Sequence, residues 1–256
     1  MIDSDRMTGR HMLNELGFRV WRVGAELHGS AEVTRSMHVP GTERLRTSIL
    51  AMWADMLGGL LAVDVLAPRV PVTLELDVHL NRPAPTAGRV LAVGRQVKAG
   101  RSVFVAGVEF FDADGDLFGF STGSFMVAPG STLTMSERTS VDAPPHPILL
   151  SVPLAERADC ARRAAGVAEI QLSADGLNAA NTMHGGLVAM VAEEAALSLS
   201  PGQTLCSLAV RYLNPVRVGP AVAVATTRGG LSQVELRDAG NDDKLAALVT
   251  ARTFAA

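Results

Sequence analysis

The chain has 256 residues, 48% of them apolar and 19% charged, with a net charge of −3 at neutral pH. That length is enough for one large or two small domains with well-formed cores, and the charge offers no positive field for nucleic acid or an anionic membrane surface. The only cysteines, Cys160 and Cys206, are too far apart for a disulfide framework or a cysteine zinc site, and both are expected as buried, reduced thiols.

In chain order, the opening MIDSDRMTGRHMLNELG carries charges of both signs before any apolar run, unlike a secretory signal. Extended sequence follows in FRVWRVGAELHGSAEVTRSM. Residues 46–59, RTSILAMWADMLGG, set Ile49, Leu50, Met52, Trp53, Met56 and Leu57 at helical spacing. The apolar stretch 48–67 around them contains Asp55 and Asp64, charges whose depth argues against a membrane span, so a cytoplasmic protein with no membrane partner is expected. In VTLELDVHLNRP, Val72, Leu74, Leu76, Val78 and Leu80 alternate with Thr73, Glu75, Asp77 and His79, a strand that puts Thr73 on the polar face. GRVLAVGRQV reads as another strand, and RSVFVAGVEFFDADGDLFGFSTGSF as two more around a turn at Asp114-Gly115. Residues 128–147 are rich in Pro, Ser and Thr and read as a linker, with a boundary near residue 140 that divides the chain into domains 1–138 and 139–256.

The second half repeats the first. HGGLVAMVAEEAAL, residues 184–197, aligns with RTSILAMWADMLGG so that Glu193 stands opposite Asp55, each nine residues after the start. LCSLAVRYLNP answers VTLELDVHLNRP, AVAVATT answers GRVLAVGRQV, and LSQVELRDAGNDDKLAALVTARTF supplies the final hairpin. One long helix on an antiparallel sheet, twice over, is an α+β architecture. The start of the second helix also has chemical character. Helix starts present unsatisfied N–H groups with roughly half a positive charge, and the glycines of His184-Gly185-Gly186 let an anionic or developing oxyanion approach them.

That combination resembles the hot-dog fold thioesterases, in particular the PaaI-like acyl-CoA thioesterases, over nearly the whole chain. The resemblance implies two tandem hot-dog domains forming an intramolecular pseudo-dimer, an acyl-CoA as small-molecule substrate, no metal and no cofactor, and sites shared between the paired domains. Further association of such chains into homo-oligomers is also compatible with it. The family motif is an asparagine, five residues, then His-Gly-Gly and a helix acid; Asn178, His184, Gly185, Gly186 and Glu193 match it. By that analogy Gly185 polarises the thioester carbonyl, Asn178 orients water or substrate, and His184 shapes the loop. The first half has Arg46-Thr47-Ser48 in place of His-Gly-Gly and Pro40 in place of asparagine, yet keeps Asp55. A family hydroxyl ten residues before the strand's proline maps onto Thr73, with Leu205 in the other half. One working site is therefore expected from Asn178, His184 and Gly185 with Asp55 and Thr73, and a degenerate one around Arg46 and Glu193.

Other patterns carry less. Glu193 and Glu194 read as structural or solvent-facing acids, Glu193 with Gly186 also standing near the expected substrate. Arg82, Arg89, Arg95, Lys98 and Arg101 could meet CoA phosphates, Arg82 and Arg101 foremost, although such charges also keep sheet edges soluble. GFSTG, residues 119–123, lacks the strand–turn–helix setting of a nucleophile elbow, so Ser121 is not expected to attack substrate. DADGD, residues 112–116, lacks the glycine and glutamate of a calcium loop and reads as a hairpin turn. Asp77 and His79 have no third ligand at metal-binding spacing and read as a solvated pair. Two rival functions remain: a non-catalytic acyl-CoA binding or sensor protein, and a hot-dog hydratase or dehydratase, whose local signatures are absent.

Overall fold

The computed structural model describes residues 11–129, 134 and 148–254. The expected domain boundary and most of the expected linker lie outside the described residues. A 3-10 turn, Met12–Leu16, leads into β1 (Arg19–Val23) and β2 (Glu26–Val33), then helix α1 (Thr47–Leu66) and strands β3 (Pro71–Leu80), β4 (Gly88–Ala99), β5 (Phe104–Phe111) and β6 (Leu117–Val127). The second half follows the same order: one helical turn α2 (Leu154–Arg157), β7 (Cys160–Ala164), β8 (Val167–Ile170), α3 (Gly185–Ser198), β9 (Leu205–Tyr212), β10 (Ala221–Arg228), β11 (Leu231–Asp238) and β12 (Lys244–Thr253).

All twelve strands join one antiparallel sheet ordered β1-β2-β4-β5-β6-β3-β9-β12-β11-β10-β8-β7. The order is a palindrome of the two halves, joined by β3 and β9. Their register pairs Glu75 with Arg211, Asp77 with Ala209 and His79 with Ser207. Advancing each β3 residue by the same step gives its β9 counterpart, so a pseudo-two-fold axis passes through the Asp77–Ala209 pair. The strands are thus tied by main-chain hydrogen bonds across the seam, as in two hot-dog domains making a pseudo-dimer.

Helix α1 is apolar around nearly its whole circumference, which is the pattern of a helix enclosed on all sides. It is long and apolar enough to cross a membrane by length and composition. Here Ile49, Leu50, Met52, Trp53 and Leu57 are buried in the core, where the helix packs on β3, β4, β5 and β6 and along α3. The amino-terminal turn laps onto the other half: Arg157 donates to both oxygens of Glu15 and to Asp175, and Leu150 N–H donates to Glu15 O. Cys160 and Cys206 are free and half-buried rather than buried as expected; Cys160 packs against the core from β7, the edge strand of the sheet.

Candidate active site

Helix α3 starts at Gly185, and His184 caps it from an extended conformation (φ −62°, ψ 137°). The Gly186 N–H donates to His184 Nδ1 at 3.0 Å, satisfying one of the four amides that a helix start leaves open. Burial pulls the His184 pKa down to about 4, so the ring is neutral at physiological pH. The ring of His11, from the amino-terminal segment, stands edge-on to it at 5.2 Å. Behind the cap, Asn178 Oδ1 accepts from Ala180 N (2.9 Å), Thr182 N (3.2 Å) and Thr182 Oγ1 (3.1 Å), closing the loop that delivers the histidine. Asn178 therefore holds the turn, with Nδ2 its remaining donor. Among the described residues no acceptor engages the Gly185 N–H.

Asp55 lies on α1 and is 9% exposed. The Thr73 hydroxyl donates to Asp55 Oδ1 at 2.7 Å. Burial pushes the Asp55 pKa up to about 6, with the Thr73 hydrogen bond acting against it. This corrects the expectation that Thr73 shares the polar face of β3. The register of β3 against β6 slips by one residue between Thr73 and Glu75, and such a bulge turns the residues before it to the opposite face.

Two contacts set Asp55 and the start of α3 at one seam. A Cβ at Gly186 would lie 2.3 Å from Met52 Cγ, so the two helices approach this closely only with glycine there. Met52 precedes Asp55 by three residues and shares its face of α1. On the other side Tyr212, the last residue of β9, donates its hydroxyl to Gly185 O at 3.0 Å. Burial, and then the Asp55 charge, hold the Tyr212 phenol well above its ordinary pKa, which puts the phenol within electrostatic reach of that carboxylate.

The pseudo-symmetric position has the same backbone and different chemistry. Arg46 caps α1 with φ −64° and ψ 136°, within a few degrees of His184, but makes no side-chain cap. The open amides are filled from the opposite helix instead: Glu193 Oε1 accepts from Thr47 N at 3.0 Å and Ser48 N at 3.3 Å, and Oε2 from Ser48 Oγ at 2.6 Å. Arg46 donates to Glu193 Oε2 at 3.3 Å and to Glu194 Oε1, and Arg162 Nε donates to Glu194 Oε2 at 2.6 Å. Arg46, Glu193 and Glu194 are all buried. Burial works against the Arg46 charge, and the two carboxylates more than offset it, holding the guanidinium ionised.

The family profile described as thioesterase superfamily matches residues 48–118, and the one described as acyl-CoA thioesterase N-terminal domain matches residues 173–251. Together they span more than half of the chain, one in each half. The chain belongs to the thioesterase superfamily. Membership makes it a thioester hydrolase. Similar solved structures include a 12:0-ACP thioesterase from Umbellularia californica, 10% identical, with 91% of this chain and 98% of that one covered and a TM-score of 0.66. An acyl-ACP thioesterase from Bacteroides thetaiotaomicron is 13% identical, with 88% and 97% covered and a TM-score of 0.61. At such identities the likeness establishes the fold, the double hot-dog arrangement over the whole chain. Among the curated proteins none matches the chain.

The remaining candidates fall elsewhere. Sheet register sets Arg101, in the β4–β5 turn, at the Thr73 end of the sheet, and Arg82 at the far end. Arg82 there donates to Asp112 Oδ2 at 2.6 Å and lies over the Phe118 ring. Ser121 sits inside β6, Asp112 caps its own hairpin turn through Asp114 N and Asp116 N, and Asp77 accepts from Arg211 at 3.4 Å. Sequence reasoning missed Tyr212, His11 and the Arg46–Glu194–Arg162 pairing. Tyr212 left one signal: it is the only tyrosine in the chain, and Leu80 stands in its place in the first half.

Proposed function

We propose that the chain is an acyl-CoA thioesterase with one working site, formed by Asn178, His184 and Gly185 of the second half and Asp55 and Thr73 of the first. The thioester carbonyl oxygen accepts from the Gly185 N–H at the positive end of α3, and Asp55 either deprotonates water or attacks the carbonyl carbon itself. With a pKa near 6 the carboxyl is mostly ionised at neutral pH, as either role requires. The observation that carries this reading is the contrast between equivalent amides. The Thr47 N–H holds a carboxylate oxygen from the opposite helix at 3.0 Å, while among the described residues nothing accepts from the Gly185 N–H. Glu193 thus marks, on the sealed side, where an acceptor oxygen stands relative to such an amide.

The test is thiol release from hexanoyl-, palmitoyl- and benzoyl-CoA, and from an acyl carrier protein bearing the same chains, since some structural relatives act on carrier-bound acyl groups. Asp55→Asn should abolish release, by at least about 10²-fold. Glu193→Gln should spare it. Activity that survives the first change and is lost with the second would reverse the assignment of the sites. Saturable acyl-CoA binding by the wild-type chain without any thiol release would favour the non-catalytic reading.

A further inference from the structure

The Gly185–Gly186 peptide is gripped at both ends. Its N–H donates to His184 Nδ1 at 3.0 Å, and its C=O accepts from the Tyr212 hydroxyl at 3.0 Å. The two groups of a trans peptide point in opposite directions, so the imidazole and the phenol hold one planar unit from its two sides. Two successive glycines are otherwise the freest backbone available. Tyr212 also packs on the glycine itself, since a Cβ at Gly185 would lie 3.1 Å from the phenol oxygen and 3.2 Å from Cζ. The peptide just before this fixed plane carries the Gly185 N–H. With the plane fixed, the φ and ψ rotations of Gly185 are the freedoms left to that donor, and the helical conformation of Gly185 sets them. Leu80 occupies the equivalent place beside α1, where no hydroxyl is available and the amides are filled by Glu193.

We propose that Tyr212 is a positioning residue for thioester hydrolysis, holding the Gly185–Gly186 peptide against His184 so that the Gly185 N–H meets the developing oxyanion. The proposal rests on the reading of Gly185 as oxyanion donor. Removing the hydroxyl alone leaves the core packing in place and loosens the donor. A donor aimed only in the transition state affects turnover more than substrate affinity.

Tyr212→Phe should lower kcat about tenfold, the equivalent of losing one hydrogen bond, with KM within about twofold of wild type. The melting temperature should stay within a few degrees. Unchanged kcat would overturn the proposal, as would a fall in kcat matched by an equal rise in KM and a collapse of Tm. A second readout is independent of activity: Tyr212 is the sole tyrosine, and Trp21 and Trp53 do not ionise, so the pH-dependent rise of tyrosinate absorbance reports on Tyr212 alone. In the native protein the tyrosinate band should emerge only well above the ordinary midpoint near 10. A phenol titrating near pH 10 in the folded chain would overturn the clamp. A wild-type chain that releases no thiol from any acyl-CoA or carrier-bound substrate refutes the hydrolase reading instead, and the clamp then stands or falls on the absorbance titration.

Discussion

Thr73→Val tests how the fold sets the working pH of the proposed site. The change keeps the β-branched shape and removes the hydroxyl that donates to Asp55 Oδ1 at 2.7 Å. A hydrogen bond to a charged acceptor contributes about 1.5–3 kcal/mol, and one pKa unit corresponds to about 1.36 kcal/mol. Asp55 is buried, so solvent does not discount the interaction, and its pKa should move from about 6 to about 7–8. At pH 7 a carboxyl of pKa about 6 is about nine-tenths ionised, and one of pKa about 7.5 only about a quarter ionised. The variant should therefore show about a fourfold lower kcat/KM at pH 7, with the gap closing by about pH 9.5. The assay is the pH profile of kcat/KM for acyl-CoA hydrolysis, whose acid limb should shift upward by one to two units. A limb that stays near pH 6, or a loss that persists undiminished at pH 9.5, would refute the claim that Thr73 acts through the ionisation of Asp55.

Two further expectations concern the helices at the seam. Arg46→Met leaves Glu193 without its guanidinium and Glu194 with Arg162 alone, and should cost about 3–5 kcal/mol in urea unfolding, partly recovered by adding Glu193→Gln; a loss under about 1 kcal/mol would mean that the ion pairs contribute little to the seam. Gly186→Ala places a methyl 2.3 Å from Met52 Cγ and 3.3 Å from Met52 Cβ, and so forces α3 away from α1. Its Tm and kcat/KM should both fall, and Met52→Ala in the same chain should restore part of each, which separates crowding at the seam from the conformational demands of glycine.

The fold was legible because the repeat carries its own punctuation. Apolar spacing announced both long helices, alternation announced the strands, and the aligned helices and strands paired one half with the other. The loop at His184 could be placed from its residues because a glycine pair at a helix start has a local meaning. What could not be read were features decided by partners distant in sequence. The slip between Thr73 and Glu75 depends on how β3 meets β6, and regular alternation in the sequence argued for the opposite face. The roles of Arg46 and Glu193 were hidden for the same reason: an arginine at a helix start and a glutamate pair on an apolar helix each look misplaced, and only their contact across the seam accounts for both. Tyr212 stood in plain view at the end of its strand, but nothing local says which backbone oxygen its hydroxyl finds.

The asymmetry between the two seam positions follows from covalent fusion. In a dimer of identical chains every substitution appears at both sites, so arginine in place of the capping histidine would alter both together. Within one chain the copies diverge separately, and the two buried helix acids acquire different partners. Ionising Asp55 in the fold, with a pKa of about 6 against 3.8 unfolded, opposes folding by about 3 kcal/mol, an opposition absent below about pH 4 and complete above about pH 6. Burial pushes the Glu193 carboxyl, at the matching place, above its ordinary range as well, but there two amides, a hydroxyl and a guanidinium meet its oxygens and act against that shift. Both carboxylates lie between the same two helices, so the paired acid fixes the register in which the unpaired one is held. The sealed position is then part of what keeps the open one in shape: loosening Arg46 should disturb Asp55 through α1 itself, whose first turn bears one acid's partners and whose third turn bears the other acid.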